Sequence, residues 1–314
     1  METLILHHYW GSPFAEKIRS ILGYKDAEWQ SLEVSPVPPR PSLDPVLGTF
    51  RRTPVLQLGR DFFCDSRLIA EVIDEALPER PLSRPSHRAL SDLITGWAEP
   101  RAFVMTGPLR FGAVEDVEGV FDGAVSAQDF QRDRVPFMAP AIDAGRFPLL
   151  RASAEDHVRA YLGIVEELLR DGPAFLCGDS PGFADFSYHH LVWWLLRPPA
   201  RGDLLRAFPR TTEAAQRIRT FGHGTYVAVT PADARAALEK AQHTPAWKPW
   251  QGGSEDPRSG TSVTVRPDDY GKQPLLGRLV GSSTRHVSLE VPVDGVGTAR
   301  VHFPRLGYEV TAAS

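Results

Sequence analysis

Leu4-Ile5-Leu6-His7-His8-Tyr9-Trp10-Gly11-Ser12-Pro13-Phe14-Ala15-Glu16-Lys17-Ile18-Arg19 is the stretch whose reading decides the fold. Its apolar start, Leu4-Ile5-Leu6, predicts a short buried strand. Ser12-Pro13 then opens a helix, because a serine hydroxyl caps orphan N–H groups and proline suits the first helical position. Phe14, Ile18, Ile21 and Leu22 recur at helical spacing and give that helix one buried face. Working outward, Trp29 to Val34 reads as a second strand, and Pro36, Pro38, Pro39, Pro41 and Pro45 forbid a regular helix directly after it. Pro54-Val55-Leu56-Gln57-Leu58 and Phe62-Phe63-Cys64 read as a hairpin turning at Gly59-Arg60-Asp61. Leu68, Ile69, Val72, Ile73, Ala76 and Leu77 form the stripe of a helix from about Ser66 to Leu77. The order is β-α-β-irregular-β-β-α, and Pro78 to Pro85 looks like a linker.

From residue 86 to about 222 the patterns are helical, with Leu90, Leu93, Ile94 and Trp97 in one stripe and Tyr161, Leu162, Val165, Leu168 and Leu169 in another. Thr230-Pro231-Ala232-Asp233 reads as a capping box that opens a helix to about Ala241. Residues 244 to 260, rich in Pro, Gly and Ser and holding Trp247 and Trp250, read as a crossing linker. The period then changes to two: Ser262 to Val265, Gly277 to Val280, Val287 to Val291 and Ala299 to Phe303 predict strands, with Asp294-Gly295 as a turn. The expected domains are therefore 1–80, 86–243 and 244–314, the last a linker and a small β-rich module. About fifty residues without disulfides or metal make a poor core of their own. The tail sheet is accordingly expected to pack on the helical half or on a second copy of the chain.

At 314 residues the chain has room for about two domains and a sizeable core. Its 28 prolines are roughly 9% of the chain against about 5% on average, which predicts many segment ends and stiff loops. A net charge of -4 offers no footprint for a phosphate backbone, so nucleic-acid binding is not expected. No apolar run approaches the roughly 20 residues that span a bilayer, and Met1 to His8 lacks a basic region and a long apolar core, so neither a membrane span nor a signal peptide is expected. The two cysteines, Cys64 and Cys177, lie far apart and form no metal-ligand cluster, which fits a reducing compartment and predicts a cytoplasmic protein.

Four features in order carry a resemblance: Tyr9 to Arg19, then Arg52-Thr53-Pro54-Val55, then Asp65-Ser66, then Gly178-Asp179-Ser180-Pro181-Gly182-Phe183-Ala184-Asp185 in the helical half. Over about residues 1 to 222 the chain resembles the glutathione S-transferase family. That resemblance implies an α/β plus all-α fold, with a thioredoxin-like N-terminal domain and a helical C-terminal domain; the small C-terminal β-rich module has no counterpart in ordinary two-domain members. It implies glutathione as substrate or cosubstrate, a small hydrophobic electrophile as the second substrate, and a homodimer. Ser12 stands where Ser-type members keep the side chain that faces the glutathione sulfur, and Tyr9 rivals it, since other classes use a first-strand tyrosine. The chemistry is sound on its own terms, because a hydroxyl at a helix N-terminus donates to a thiolate and the macrodipole favours the anion. Read alone, Ser12 is also an ordinary N-cap.

Thr53-Pro54 is similar to the family's residue before a cis-Pro, whose backbone groups pair with the tripeptide as an added strand. The alternative is a proline that starts a strand. Asp65-Ser66 stands where the family binds the γ-glutamyl end, the Ser66 hydroxyl and helix N–H groups for its carboxylate and the acid for its ammonium. Either residue serves equally as an N-cap. Arg40, Arg51 and Arg52 are all candidates for the glycyl carboxylate, Arg40 the first of them, with solvated surface arginine the plainer role for at least two; by position in the family Trp10 and Phe103 line the electrophile site. Core packing is the plainer role for both aromatics.

Gly178 to Gly182 also matches the GxSxG of serine hydrolases, but a nucleophile elbow needs a strand before it and a helix straight after, whereas here Pro181 follows the serine. It reads instead as an N-capping element with Asp185 at the third helical position and Gly182 where Ser or Thr usually caps. The pairs His7-His8 and His189-His190 have no HExxH or cysteine partner, so they read as packing residues and no metal is expected. Two further functions fit the same residues: a fold kept for binding or assembly without chemistry, and glutathione-dependent isomerisation.

Overall fold

The structure is a computed structural model describing residues 3–82, 85–110, 121, 125–143, 151–197, 202–241 and 257–313. Strand β1 (Ile5–His8) leads into helix α1 (Pro13–Tyr24), β2 (Glu28–Glu33), the single turn α2 (Asp44–Leu47), the hairpin β3 (Val55–Leu58) and β4 (Asp61–Cys64), and α3 (Ser66–Ala76). This is the thioredoxin-like order. The prolines do not abolish helix after β2 altogether: Pro45 occupies the first turn of α2, where its missing N–H costs nothing, and Gly48 at φ 53 ends it after four residues. The helical half holds α4 (Pro85–Trp97), a π-helical turn (Ala98–Phe103), α5 (Val104–Arg110), α6 (Ala127–Asp143), α7 (Arg151–Leu168), α8 (Phe183–Leu196), α9 (Gly202–Leu205) and α10 (Pro209–Arg219). After it come β5 (Thr225–Ala228), α11 (Pro231–Lys240), β6 (Ser262–Pro267), β7 (Leu275–Ser282), β8 (His286–Val293), β9 (Gly297–Pro304) and β10 (Tyr308–Ala312). The linker expected at 244 to 260, with Trp247 and Trp250, lies mostly outside the described residues.

Contacts divide the chain into two compact units, Met1–Ser12 with Glu28–Glu71 and Tyr226–Ser314, and Pro13–Ala27 with Val72–Thr225. In the second unit α8 is buried almost all round, which explains why its apolar residues show no stripe. Its N-terminus is capped by Asp185, whose carboxylate accepts from the N–H groups of Leu176 (2.6 Å) and Gly182 (2.8 Å). Only this half of a capping box exists, because Gly182 has no hydroxyl. A Cβ at Gly182 would lie 2.4 Å from Cys177 Sγ and 3.1 Å from the Leu82 carbonyl oxygen, so crowding fixes glycine where capping alone would choose serine.

The first unit is organised by one ten-stranded sheet in the order β10-β6-β7-β8-β9-β4-β3-β1-β2-β5. The tail is expected from sequence on the helical half or on a second copy; what organises it here is the parallel pairing of β9 with β4 (Phe62 opposite Val301, Phe63 opposite His302), which continues the N-terminal sheet. The reason is a shared core. Val55, Phe62, Phe50 and Leu43 cluster with Val287, Leu289, Val301 and Phe303 of the tail and with Ala234 and Leu238 of α11, so the small β module has a hydrophobic core without building its own. Polar clamps set the register. Arg60 in the β3–β4 turn donates to the carbonyls of Ala241 (2.9 Å), Val296 (3.1 Å) and Thr298 (3.2 Å). Beside it, His302 bridges Asp61 and Ser288 at 2.8 Å each.

Candidate functional site

Register alone gathers the expected site residues at one end of the sheet. His7 of β1 lies opposite Val55 of β3, and Val55 lies opposite Cys64 of β4, both pairings antiparallel. The chain therefore leaves β1 toward Tyr9 and Ser12, enters β3 from Thr53-Pro54 and leaves β4 toward Asp65-Ser66 at the same sheet end. The Thr53–Pro54 peptide is cis. Ser12 is buried, its N–H donates to the Tyr9 carbonyl at 3.1 Å, and the next residue, Pro13, begins α1.

At α3 the structure distinguishes the two capping residues that the sequence leaves equal. Asp65 takes φ 79 and its Oδ1 accepts from the Arg67 N–H at 2.9 Å, so Asp65 is the cap. Ser66 is the first helical residue and is buried, placed beside the open N–H groups of the first turn. Asp65 itself stays half-buried, and its Oδ2 accepts at 3.2 Å from the hydroxyl of Tyr308, at the start of β10.

Arg40 is 2% exposed, its backbone and side chain bind the Asp44 carboxylate, and Nη2 donates to the Phe50 carbonyl at 2.5 Å. These bonds brace the turn α2 through Nε and Nη2, while the buried Nη1 has no hydrogen-bond partner among the described residues. Arg52 is held by the tail: it forms an ion pair with Asp269, donates to the Tyr270 carbonyl at 2.7 Å and stacks 4.5 Å over the Tyr270 ring. Trp10 packs among His8 (5.0 Å) and Tyr226 (5.7 Å) in an aromatic cluster that also includes Trp29. Phe103 packs on Phe14 (4.6 Å) and near His190 in the helical unit. Both residues are half-buried.

The remaining reactive-looking groups are inert by burial. Desolvation raises the Cys64 thiol well above its ordinary value, which removes it as a nucleophile beside Asp65. His7 Nε2 donates to Gln57 Oε1 at 2.9 Å, its Nδ1 accepts from the Ser42 hydroxyl at 3.1 Å, and burial pushes its pKa down to about 4, so it is a neutral packing group. Asp61, His302 and Ser288 have the connectivity of a hydrolase triad, which sequence reading missed because the three come from β4, β9 and β8. Ser288 and His302 are 0% exposed, so no carbonyl carbon reaches the Ser288 hydroxyl, and the array is a polar staple. Around Ser180 no strand precedes the turn that leads to α8, so the elbow reading fails as well. Among the described residues no three of His, Cys, Asp and Glu gather in a way that could hold a metal ion.

The sequence also missed Tyr308 and the Arg52, Asp269 and Tyr270 cluster. Their one local sign was the alternation Tyr308-Glu309-Val310, the start of an unpredicted strand.

Comparison with known proteins agrees with this geometry. Residues 6–81 match the family model for the glutathione S-transferase N-terminal domain, and residues 129–217 match the model for the C-terminal domain. Among solved structures, a GST-like protein from Pseudomonas syringae is 25% identical with a TM-score of 0.79, and the match covers 100% of both chains, tail included. The beta-etherase of Sphingobium sp. strain SYK-6 is 21% identical with a TM-score of 0.53, over 69% of this chain and 95% of its own. A glutathione S-transferase from Methylobacterium radiotolerans, in complex with glutathione sulfonate, is 18% identical with a TM-score of 0.51, over 72% of this chain and 97% of its own. The latter two show the fold alone and leave more than a quarter of this chain uncovered. No curated protein matches.

Proposed function

Because the chain belongs to the glutathione S-transferase family, with both family domains in order, we propose that it activates the thiol of glutathione for attack on a small apolar electrophile. The observation that carries this reading is the β1-β3-β4 register, which brings Ser12, Thr53-Pro54 and Asp65-Ser66 to one sheet end. In it the Thr53 backbone pairs with the cysteinyl segment as an added strand. The Ser66 hydroxyl and the first N–H groups of α3 take the γ-glutamyl carboxylate, and the Asp65 carboxylate takes the ammonium. Ser12 donates its hydroxyl proton in a hydrogen bond to the sulfur, with Tyr9 as the alternative donor.

The reaction needs a thiolate. A free thiol has a pKa of about 8.5, and a hydroxyl donor at a helix N-terminus stabilises the anion, so more of it is present at neutral pH. The sulfur then forms a bond to the electrophilic carbon while the leaving group departs with the bonding pair, and proximity supplies much of the acceleration. Glutathione is consumed as a cosubstrate, and the relative crystallised with a glutathione derivative supports the choice of thiol. The reading includes a homodimer and a cytoplasmic location, in keeping with two buried free cysteines. No helix among the described residues is long and apolar enough to cross a membrane.

The test is a pH titration of the thiolate absorbance of bound glutathione. Ser12→Ala is expected to keep glutathione affinity within a small factor and to raise the apparent thiol pKa. An unchanged pKa moves the role to Tyr9, with Tyr9→Phe as the next measurement. Absence of saturable glutathione binding by the parent chain favours a fold kept for assembly.

A further inference from the structure

The C-terminal strands reach the sheet end just described. Parallel pairing of β9 with β4 carries the end of β9 to the same side as Asp65, and β10 starts next to it, with Tyr308 opposite Pro267 of β6. Tyr308 is buried, and its ring packs on Phe303 (5.2 Å) and near Phe50 (6.5 Å) while its hydroxyl emerges from the core at Asp65. From the same tail, Asp269 and Tyr270 hold Arg52, the residue before Thr53. Two segments that the ordinary two-domain fold lacks thus grip the residues flanking both halves of the expected binding motif.

We propose that Tyr308 is a positioning residue of the thiol-binding site, fixing the Asp65 carboxylate for the ammonium group of the γ-glutamyl end. The proposal rests on the function proposed above. Asp65 is held on two sides, by the Arg67 N–H on Oδ1 and by the Tyr308 hydroxyl on Oδ2. A carboxylate has about four lone-pair sites, so two remain for a cationic ligand group. Because the side chain is already ordered, little rotamer freedom is lost when that group binds. Burial raises the Tyr308 phenol well above its ordinary value, so the hydroxyl stays protonated and remains a donor. The consequence is a site whose selectivity for an α-amino group depends on the docked tail.

The test measures binding by calorimetry with the full chain and two ligands, glutathione and its analogue lacking the γ-glutamyl amino group. Tyr308→Phe keeps the ring and removes only the hydroxyl, and it is expected to weaken glutathione by about fivefold, the scale of one ordinary hydrogen bond. The analogue is expected to bind both proteins equally. On an Asp65→Asn background the same substitution is expected to change neither ligand's affinity, which separates positioning from a general loss of packing. Unchanged or tighter glutathione binding by Tyr308→Phe, an equal loss for both ligands, or an undiminished effect on the Asp65→Asn background overturns the proposal. Absence of glutathione binding by the parent chain would instead sink the underlying function, and the role of Tyr308 with it.

Discussion

Gly182 shows how a single position answers to two demands. By capping logic a serine there would complete the box with Asp185 and gain roughly a few tenths of a kcal/mol over glycine. By packing, its Cβ would stand 2.4 Å from Cys177 Sγ. Overpacking in a fixed frame costs about 1–3 kcal/mol and outweighs the cap. Gly182→Ser is therefore expected to lower the melting temperature, and adding Cys177→Ala is expected to recover much of the loss. A single variant that melts above the parent would show that the capping term wins. The same tension appears at Asp185, whose carboxyl is pushed up to about 6 by burial although two backbone N–H groups pull it down.

At the scale of elements, the parallel pairing of β9 with β4 decides what the tail is. In isolation β4 would be a sheet edge with unpaired N–H and C=O groups, and edges of that kind invite aggregation. Here the edge is covered, and the apolar face that β4 shares with the tail is sealed by Phe303, Val301 and Leu289. Deleting residues 257–314 is accordingly expected to yield a chain that aggregates or loses its cooperative melt, as read by light scattering and calorimetry. A truncated chain that stays monodisperse and melts at the parent's temperature would mean that the shared core contributes little. Asp61, His302 and Ser288 strengthen the joint, since a buried network is stable only when each member keeps its partner.

For the molecule as a whole, buried histidines set the pH dependence. Burial drives His7 and His189 down to about 4, holds His190 well below its ordinary value and lowers His302 as well. They lie in both units. In the folded chain they stay neutral, while the unfolded chain takes up protons below about pH 6.5. Their contribution is complete above pH 6.5 and is lost as the pH falls toward 4, on the order of 3 kcal/mol for a group shifted as far as His7. Glu16 adds to this lower down: burial alone would raise its pKa, but His223 and Arg19 hold it to about 2, so its share disappears between about 4.5 and 2. Asp185 runs the other way, gaining stability as the pH drops through 6, but it is one group against four histidines. The melting temperature is expected to fall by several degrees from pH 7.5 to pH 5, and a flat profile there would contradict the neutral state of these histidines.

The amino-acid order determined whatever depends on neighbours in the chain. Ser12-Pro13, the stripe from Leu68 to Leu77 and the box Thr230 to Asp233 are local patterns of capping and period, and each forms the element it predicts. The β-α-β-β-α order and the helical half were legible for the same reason, whereas Ser12, Thr53, Asp65 and Ser66 were singled out by family resemblance, since read alone each is an ordinary cap or strand start. Tertiary structure decided what depends on partners distant in sequence. Pairing of β9 with β4 places Tyr308 on Asp65, 243 positions away, and no local period encodes it. Arg40 braces α2 because Asp44 and the Phe50 carbonyl lie within reach of its Nε and Nη2, and a guanidinium bonds to whatever acceptors the fold brings near. Strands β5 and β10 escaped notice because both are edge strands and mostly exposed, so neither carries the buried apolar run that marks β1, β3 and β4. They take shape through hydrogen bonds supplied by β2 and β6, which exist only once the sheet is assembled.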